Sequence, residues 1–262
     1  MRRQLFATLL ALLYWALPQL ALAAGCLPVA GLAPRLMPAA FEIAEAPAAG
    51  TVRLTFLGHA SFLIESPGGV AAVTDWNGIN RPPFLPDIVT MNNAHPLHYV
   101  ETVEPGIKYA LRGWDPAGGL PHHDLTYRDM RVRNVPTNLD EAPLGHANSI
   151  FIFEAAELCI AHLGHLHKIL SDEQLGALGQ VDVLLVPVDG GYTIEQEAMV
   201  EVIDRIGAPL VVPMHYFTAE NLARFLDRVR PRYDIQTSTT PSAVLSRATL
   251  PTKREVLVLP GP

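Results

Sequence analysis

Three short apolar runs in this chain each lead into histidine, and that restricts the folds open to it. Ile88-Val89-Thr90-Met91 precedes His95 and His98, and Leu158-Cys159-Ile160-Ala161 runs into His162, His165 and His167. Leu210-Val211-Val212-Pro213-Met214 is closed by His215. Runs this short and this apolar read as buried strands. An α/β sheet offers ligand-binding groups at the carboxyl ends of its strands, so three such clusters can meet on one edge. Imidazole is the commonest protein ligand for a transition metal, so the pattern is that of a metal site.

The surrounding pattern agrees with such a sheet. Strand-like runs cover Thr51 to Leu57, Ser61 to Glu65, Val70 to Asp75 and Ile88 to Met91, with Gly- and Pro-rich turns between them. A second β-rich block covers Lys108 to Arg112, Arg131 to Val135, Asn148 to Glu154 and Leu158 to His162. Helices then alternate with strands. Ser171 to Leu178 has a capping Ser, Glu195 to Ile206 stops at Gly207, and Ala219 to Val229 follows the strand that ends at His215. Strands at Val181 to Val186, Ala243 to Arg247 and Glu255 to Leu259 complete the pattern. Two β-rich halves with helices outside them predict a four-layer αββα sandwich. Arg81 to Pro86 and Gly113 to Asp124 read as long functional loops.

Ahead of this domain, Arg2 and Arg3 precede a charge-free apolar stretch from Leu5 to Leu22, and Ala21-Leu22-Ala23 offers a cleavage site. The pattern predicts a signal peptide over 1–25, an extended lead-in over 26–50 and a single domain over 51–262. An uncleaved anchor is the competing reading. The exported protein is therefore expected in the periplasm or outside the cell. Setting aside Arg2 and Arg3 lowers the basic count from 19 to 17, against 26 acidic residues, for a charge of −9. Nucleic acid is excluded as a partner on this balance, since its binding depends on Lys and Arg. A small-molecule substrate is expected, and no membrane contact unless Cys26 is lipidated or the signal segment is retained. Cys26 and Cys159 are the full cysteine complement. They can form a disulfide in an oxidising compartment. Alternatively, Ala23-Ala24-Gly25-Cys26 resembles a lipidation box, with Cys159 a small buried residue.

Phe56-Leu57-Gly58-His59-Ala60-Ser61-Phe62-Leu63-Ile64-Glu65, followed by a strand ending in Asp75, resembles the opening of the metallo-β-lactamase superfamily. Val211 to Tyr216 looks like the last metal motif of its lactonase-like and phospholipase-D-like branch, and Ile160 to His165 like its His-x-Gly-Asp element. Asn93-Ala94-His95-Pro96-Leu97-His98 stands where the family has His-x-His-x-Asp-His, so an Asn and a Leu replace a His and the Asp. His165 stands in place of the bridging Asp, and Asn138 lies near the position of a further His. The resemblance implies metal ligands at His95, His98, His165 and His215.

Without bridging carboxylates, a pair of cations is disfavoured, and one divalent metal is expected. Zinc is the first choice, with Fe, Mn, Ni or Cu as alternatives. His59 and Asp75 are expected beside the site, His59 donating to substrate and Asp75 orienting a ligand histidine. Asn93 and Asn138 are candidates to bond a water or a substrate oxygen. His167 is a candidate ligand or proton shuttle. Asp189 is either a general base or a turn-forming residue, and Tyr192 and Tyr216 are candidate walls of the pocket. Trp114 lines the pocket or fills a core gap, His162 is structural, and His146 is a loop residue. The expected activity is hydrolysis of an ester, lactone, amide or phosphodiester by metal-activated water. The alternatives are a non-hydrolytic or redox metal protein and a metal-free interaction module.

Overall fold

The computed structural model describes residues 45–117, 120–138, 140 and 147–261. The signal segment, Cys26 and His146 lie outside the described residues. Strands β1 (Val52–Gly58), β2 (Ser61–Glu65), β3 (Ala71–Val73), β4 (Ile88–Met91) and β5 (Tyr109–Arg112) form one sheet, joined at its edge by β13 (Ser242–Leu245) in the order β13-β1-β2-β3-β4-β5. The other sheet contains β6 (Asp124–Tyr127), β7 (Met130–Thr137), β8 (Asn148–Ala155), β9 (Leu158–His162), β10 (Val183–Pro187), β11 (Leu210–Met214), β12 (Asp234–Thr237) and β14 (Glu255–Val258). Its order is β12-β14-β11-β10-β9-β8-β7-β6.

Strand β8 shows how one sequence serves two cores. Successive side chains of a strand point to opposite faces. Phe151 and Phe153 therefore enter the layer between the sheets, with Phe56, Phe62, Val183 and Leu185. Ile150 and Ile152 face the other way, toward Leu184, Val186, Met199 and Phe225. Both faces are covered, so the strand is buried throughout.

Three helices, α1 (Asp172–Leu178), α2 (Gln196–Ile206) and α3 (Ala219–Val229), cover the outer face of the eight-stranded sheet. Ser171 caps α1 in a reciprocal capping box with Gln174. Gly207 ends α2 at φ 73°, a left-handed turn that glycine takes without a Cβ clash. The outer face of the six-stranded sheet, around Trp76, Val89 and Met91, is packed by Tyr99, Val100, Val103, Ile107 and Trp114 from the segments beside β4 and β5. Two mixed sheets with flanking helices make the α/β sandwich expected of the chain.

Two strands differ from the sequence expectation. β6 lies partly within the stretch expected to be a loop, and β12 was expected to be no element at all. Both are edge strands with alternating or exposed side chains.

What places the site is strand direction. β9, β10 and β11 are mutually parallel, as are β3, β4 and β5. Their carboxyl ends deliver His162, Asp189, His215, Asp75 and Asn93 within a few residues of each strand's last residue.

Candidate metal centre

His59 occupies the turn between β1 and β2, at φ 53°, after a bulge at Phe56 and Gly58. Its carbonyl accepts the backbone N–H of His215 at 2.7 Å, which ties the first sheet's turn to the end of β11 in the second. His215 itself is at φ 54° and Asp75 at φ 45°. Non-glycine residues in this region are strained by about 1 kcal/mol or more, and such strain collects at functional sites. Here it turns three side chains toward one point.

One ring nitrogen each from His59, His98 and His215 lies within 4.8 Å of the others. The His98 and His215 rings are stacked almost parallel, 5.2 Å apart, and their Nε2 atoms are separated by 3.3 Å. Behind each ring stands a buried carboxylate. Asp75 Oδ2 is 2.8 Å from His98 Nδ1, and Asp189 Oδ1 is 2.9 Å from His215 Nδ1.

These carboxylates settle the protons. Burial raises the pKa of Asp75, but the adjacent His98 and its hydrogen bond outweigh that and hold the carboxyl below its ordinary value. Burial also opposes ionisation of Asp189, while bonds from His215 and Thr193 pull its pKa down further. An ionised carboxylate only accepts, so both imidazoles donate from Nδ1, and Nε2 is the nitrogen that each turns toward the other. Two such nitrogens 3.3 Å apart are held together by a proton or a metal ion between them. Two nitrogens sharing a tetrahedral zinc at about 2.05 Å stand about 3.3 Å apart. His59 Nε2 is buried beside them with no hydrogen-bond partner. A single proton would satisfy two imidazoles; three converging nitrogens fit a metal ion.

His165 stands edge-on to this group, its ring 4.8 Å from His98 and 5.1 Å from His215. Burial, followed by the His98 and His215 rings, lowers its pKa to about 2. Burial and the same two neighbours lower His59 to about 3. Both rings are thus neutral, the form that binds metal. His165 Nδ1 lies 2.8 Å from His167 Nε2, on the cleft wall.

The residues singled out in the sequence fall at these positions. His59, expected only to donate to substrate, belongs to the histidine triad. His95 is exposed at the rim, its ring 5.8 Å from His98 and 6.0 Å from His165, and its Nδ1 accepts the Leu97 N–H at 3.4 Å. Of the two readings of Asp189, the bonds favour the turn-forming one: its carboxylate accepts from the Gly191, Tyr192 and Thr193 backbones and the Thr193 hydroxyl as well as lying against His215. Asn138 is not aimed at substrate; its amide bonds the His165 carbonyl and the His167 N–H, fixing that loop. Tyr216 packs between the cores near Phe56, and its neighbour Phe217 lines the cleft instead. Trp114 stacks edge-on with Tyr99 in the outer core.

The other residues are placed as follows. Asn93 Nδ2 donates to the Ala147 carbonyl, which leaves Oδ1 buried at the cleft without a partner. His162 is buried and bonds the Ala60 carbonyl at 2.7 Å. Tyr192 stands on the cleft wall and is mostly exposed. Cys159 is buried and disulfide-bonded. The cleft over the triad encloses about 880 Å³, within the size range of small-molecule sites. Among the described residues, no helix is long and apolar enough to cross a membrane.

The chain has relatives in sequence and in fold. Over 209 residues the chain is 29% identical to a UPF0173 metal-dependent hydrolase of Methanoculleus marisnigri, covering 71% of this chain and 91% of that one. It is 24% identical to another such hydrolase from Ignicoccus hospitalis, over 64% of this chain and 84% of the relative. A metallo-β-lactamase superfamily protein from Thermotoga maritima superposes with a TM-score of 0.60 at 29% identity, spanning 80% of this chain and 100% of that one. Residues 53–215 match the family described as the beta-lactamase superfamily domain, from the strand before the first histidine of the triad to its last. With its paired sheets and its histidines at their shared edge, the chain belongs to the metallo-β-lactamase superfamily.

Proposed function

We propose that this protein is an exported hydrolase that works with one divalent metal, zinc, held by His59, His98 and His215 with His165 beside them. The observation that carries this is the 3.3 Å approach of two Nε2 atoms, each backed by a carboxylate on Nδ1. That carboxylate–histidine arrangement fixes the tautomer and raises the basicity of a metal ligand. A divalent cation there supplies Lewis acidity, polarising the scissile carbonyl or phosphoryl and lowering the pKa of water.

The remaining work falls to the chain itself. Asp75 and Asp189 keep the Nδ1 protons of His98 and His215 in place and hold both rings still. The hydrogen bond between His165 Nδ1 and His167 Nε2 links the centre to the cleft wall and holds the His165 ring in place. Asn93 Oδ1 offers an acceptor to a donor group of the substrate or of the attacking water. The substrates that suit this centre are esters, lactones and phosphodiesters, in line with the lactonase-like branch that the motifs resemble.

Export rests on two observations. The N-terminus carries the charge, apolar run and cleavage pattern of a signal peptide. Cys159 is disulfide-bonded, a state that persists in oxidising compartments, and Cys26 is its proposed partner.

The test is turnover of chromogenic esters, lactones and phosphodiesters by zinc-loaded protein beside its His98→Ala variant. Hydrolysis of at least one class, abolished in a variant with native circular dichroism, is the expected result. Unchanged turnover in the variant rejects the metal mechanism. No turnover from protein that retains one metal favours a non-hydrolytic or redox site. The all-imidazole triad, with both nearby carboxylates turned to Nδ1, is the feature that supports that second reading.

A further inference from the structure

The cleft is uneven in a way that the metal centre does not require. Among the described residues, eight large apolar side chains are substantially exposed, and Leu97, Tyr192 and Phe217 are three of them that line this one cleft. Tyr192 is 73% and Phe217 50% exposed. Their rings meet edge to face at 5.4 Å, and Phe217 in turn lies 5.3 Å from His215 and 5.6 Å from His59. An apolar shelf thus runs outward from the triad. Keeping such area in water is unfavourable by about 25 cal/mol per Å², which a ligand's apolar body would recover.

One arginine lines the same cleft. Asn221, in the first turn of α3, anchors that helix to the site by donating to the Asp189 carbonyl at 3.2 Å. Arg224 follows three residues later, on the same helix face and about 4.5 Å farther along the axis. It forms no ion pair within 4 Å among the described residues; the exposed Glu220, one turn before it, takes a hydrogen bond from Thr218 and feels the Arg224 charge only as a lesser influence. The cleft's one acid, Asp189, is occupied by His215 and the 191–193 turn. In a chain of net charge −7, a guanidinium without a direct ion pair that lines the same cleft as an aromatic shelf is an anion-recognition element.

We infer that the substrate is an amphiphilic anion, with a carboxylate or phosphate held by Arg224 and an aromatic or aliphatic body lying on Tyr192 and Phe217 between that anion and the scissile bond. This rests on the hydrolase reading for the word substrate, but the binding preference stands on the cleft alone. Arg224 is then the residue that sets charge specificity. A neutral ester of the same shape is a poorer ligand than its anionic counterpart.

The test uses 1-naphthylacetate and its neutral isostere 1-naphthylacetamide, titrated by calorimetry into mature protein, with and without zinc. Wild-type protein is expected to bind the carboxylate about tenfold more tightly in both forms, as one charge-assisted contact allows. Arg224→Gln is expected to bring that ratio close to one, and Arg224→Glu to invert it. Phe217→Ala is expected to weaken both probes alike. Equal binding of the two probes by wild type overturns the inference. So does a preference that appears only with zinc and survives Arg224→Gln, because the carboxylate is then on the metal. Ester turnover, measured separately, decides the hydrolase reading, and the probe ratio decides this one.

Discussion

His98 Nε2 and His215 Nε2 face each other at 3.3 Å while a buried aspartate holds the opposite nitrogen of each ring. The two nitrogens come from different sheets, His98 from the segment after β4 and His215 from the end of β11. Their approach therefore depends on how the sheets pack, and it is the centre's defining contact.

Removing either ring of that pair is expected to lower metal affinity by two orders of magnitude or more. His59→Ala is expected to weaken it to a similar degree, and His95→Ala, at the exposed rim, far less. Competition with a chromogenic chelator gives the affinities. A His95→Ala loss equal to that of His98→Ala would move the ligand set back toward the one implied by the motif.

Asp75→Asn and Asp189→Asn are each expected to cost about 10- to 100-fold in metal affinity, since the amide no longer enforces the Nδ1–H tautomer. Asp189→Asn is also expected to lower Tm, because the same carboxylate organises the 191–193 turn. Chelator competition and thermal melts on the same samples separate the two effects.

The pH dependence of the metal-free protein follows from the neutral histidines. His59 and His165 are lowered to about 3 and about 2, against an ordinary value of 6.5. Below 6.5 the unfolded chain takes up protons at these sites while the folded one does not, so stability falls as pH falls from 6.5 toward 3. The lowered carboxyls of Asp75 and Asp189 act in the same direction below about pH 4, where only the unfolded chain is protonated. Tm of the apoprotein is expected to drop steadily below pH 6.5; a flat or rising profile contradicts the burial assigned to these rings.

The architecture was legible because buried strands are written in apolar runs with sharp ends. β2, β4 and β9 have the limits read from the chain, and α3 does too. β6 and β12 were not legible. Each is the last strand at one end of the eight-stranded sheet, and neither Asp124-Leu-Thr-Tyr127 nor Asp234-Ile-Gln-Thr237 needs apolar residues on both faces. At the site, His98 and His215 could be found because both fall in motifs that resemble the family's, and His215 directly follows β11. His59 lies in a hairpin turn, where histidine has no periodic pattern to betray it, and its role depends on the positive φ that aims its ring. Phe217 and Arg224 were missed for a related reason, since a cleft wall is assembled from a loop and a helix face that only packing brings together.

The disulfide at Cys159 gives a separate prediction. Closure of the proposed loop from Cys26 to Cys159 would be worth up to about 5 kcal/mol on the chain-entropy model. On the proposed export and pairing, the protein is expected outside the cytoplasm, to begin within a few residues of Cys26 and to resist alkylation until reduced. Intact-mass analysis with and without reductant checks both points. A diacylglyceryl mass on Cys26 rejects the pairing in favour of lipidation.

The most direct measurement is the metal content of mature protein purified without added metal, determined by inductively coupled plasma mass spectrometry beside His98→Ala and His215→Ala. About one equivalent of a divalent transition metal in the wild type, lost in both variants, is the predicted result. A wild type that never acquires metal, even when zinc is supplied in excess, or variants that keep a full equivalent, would contradict it.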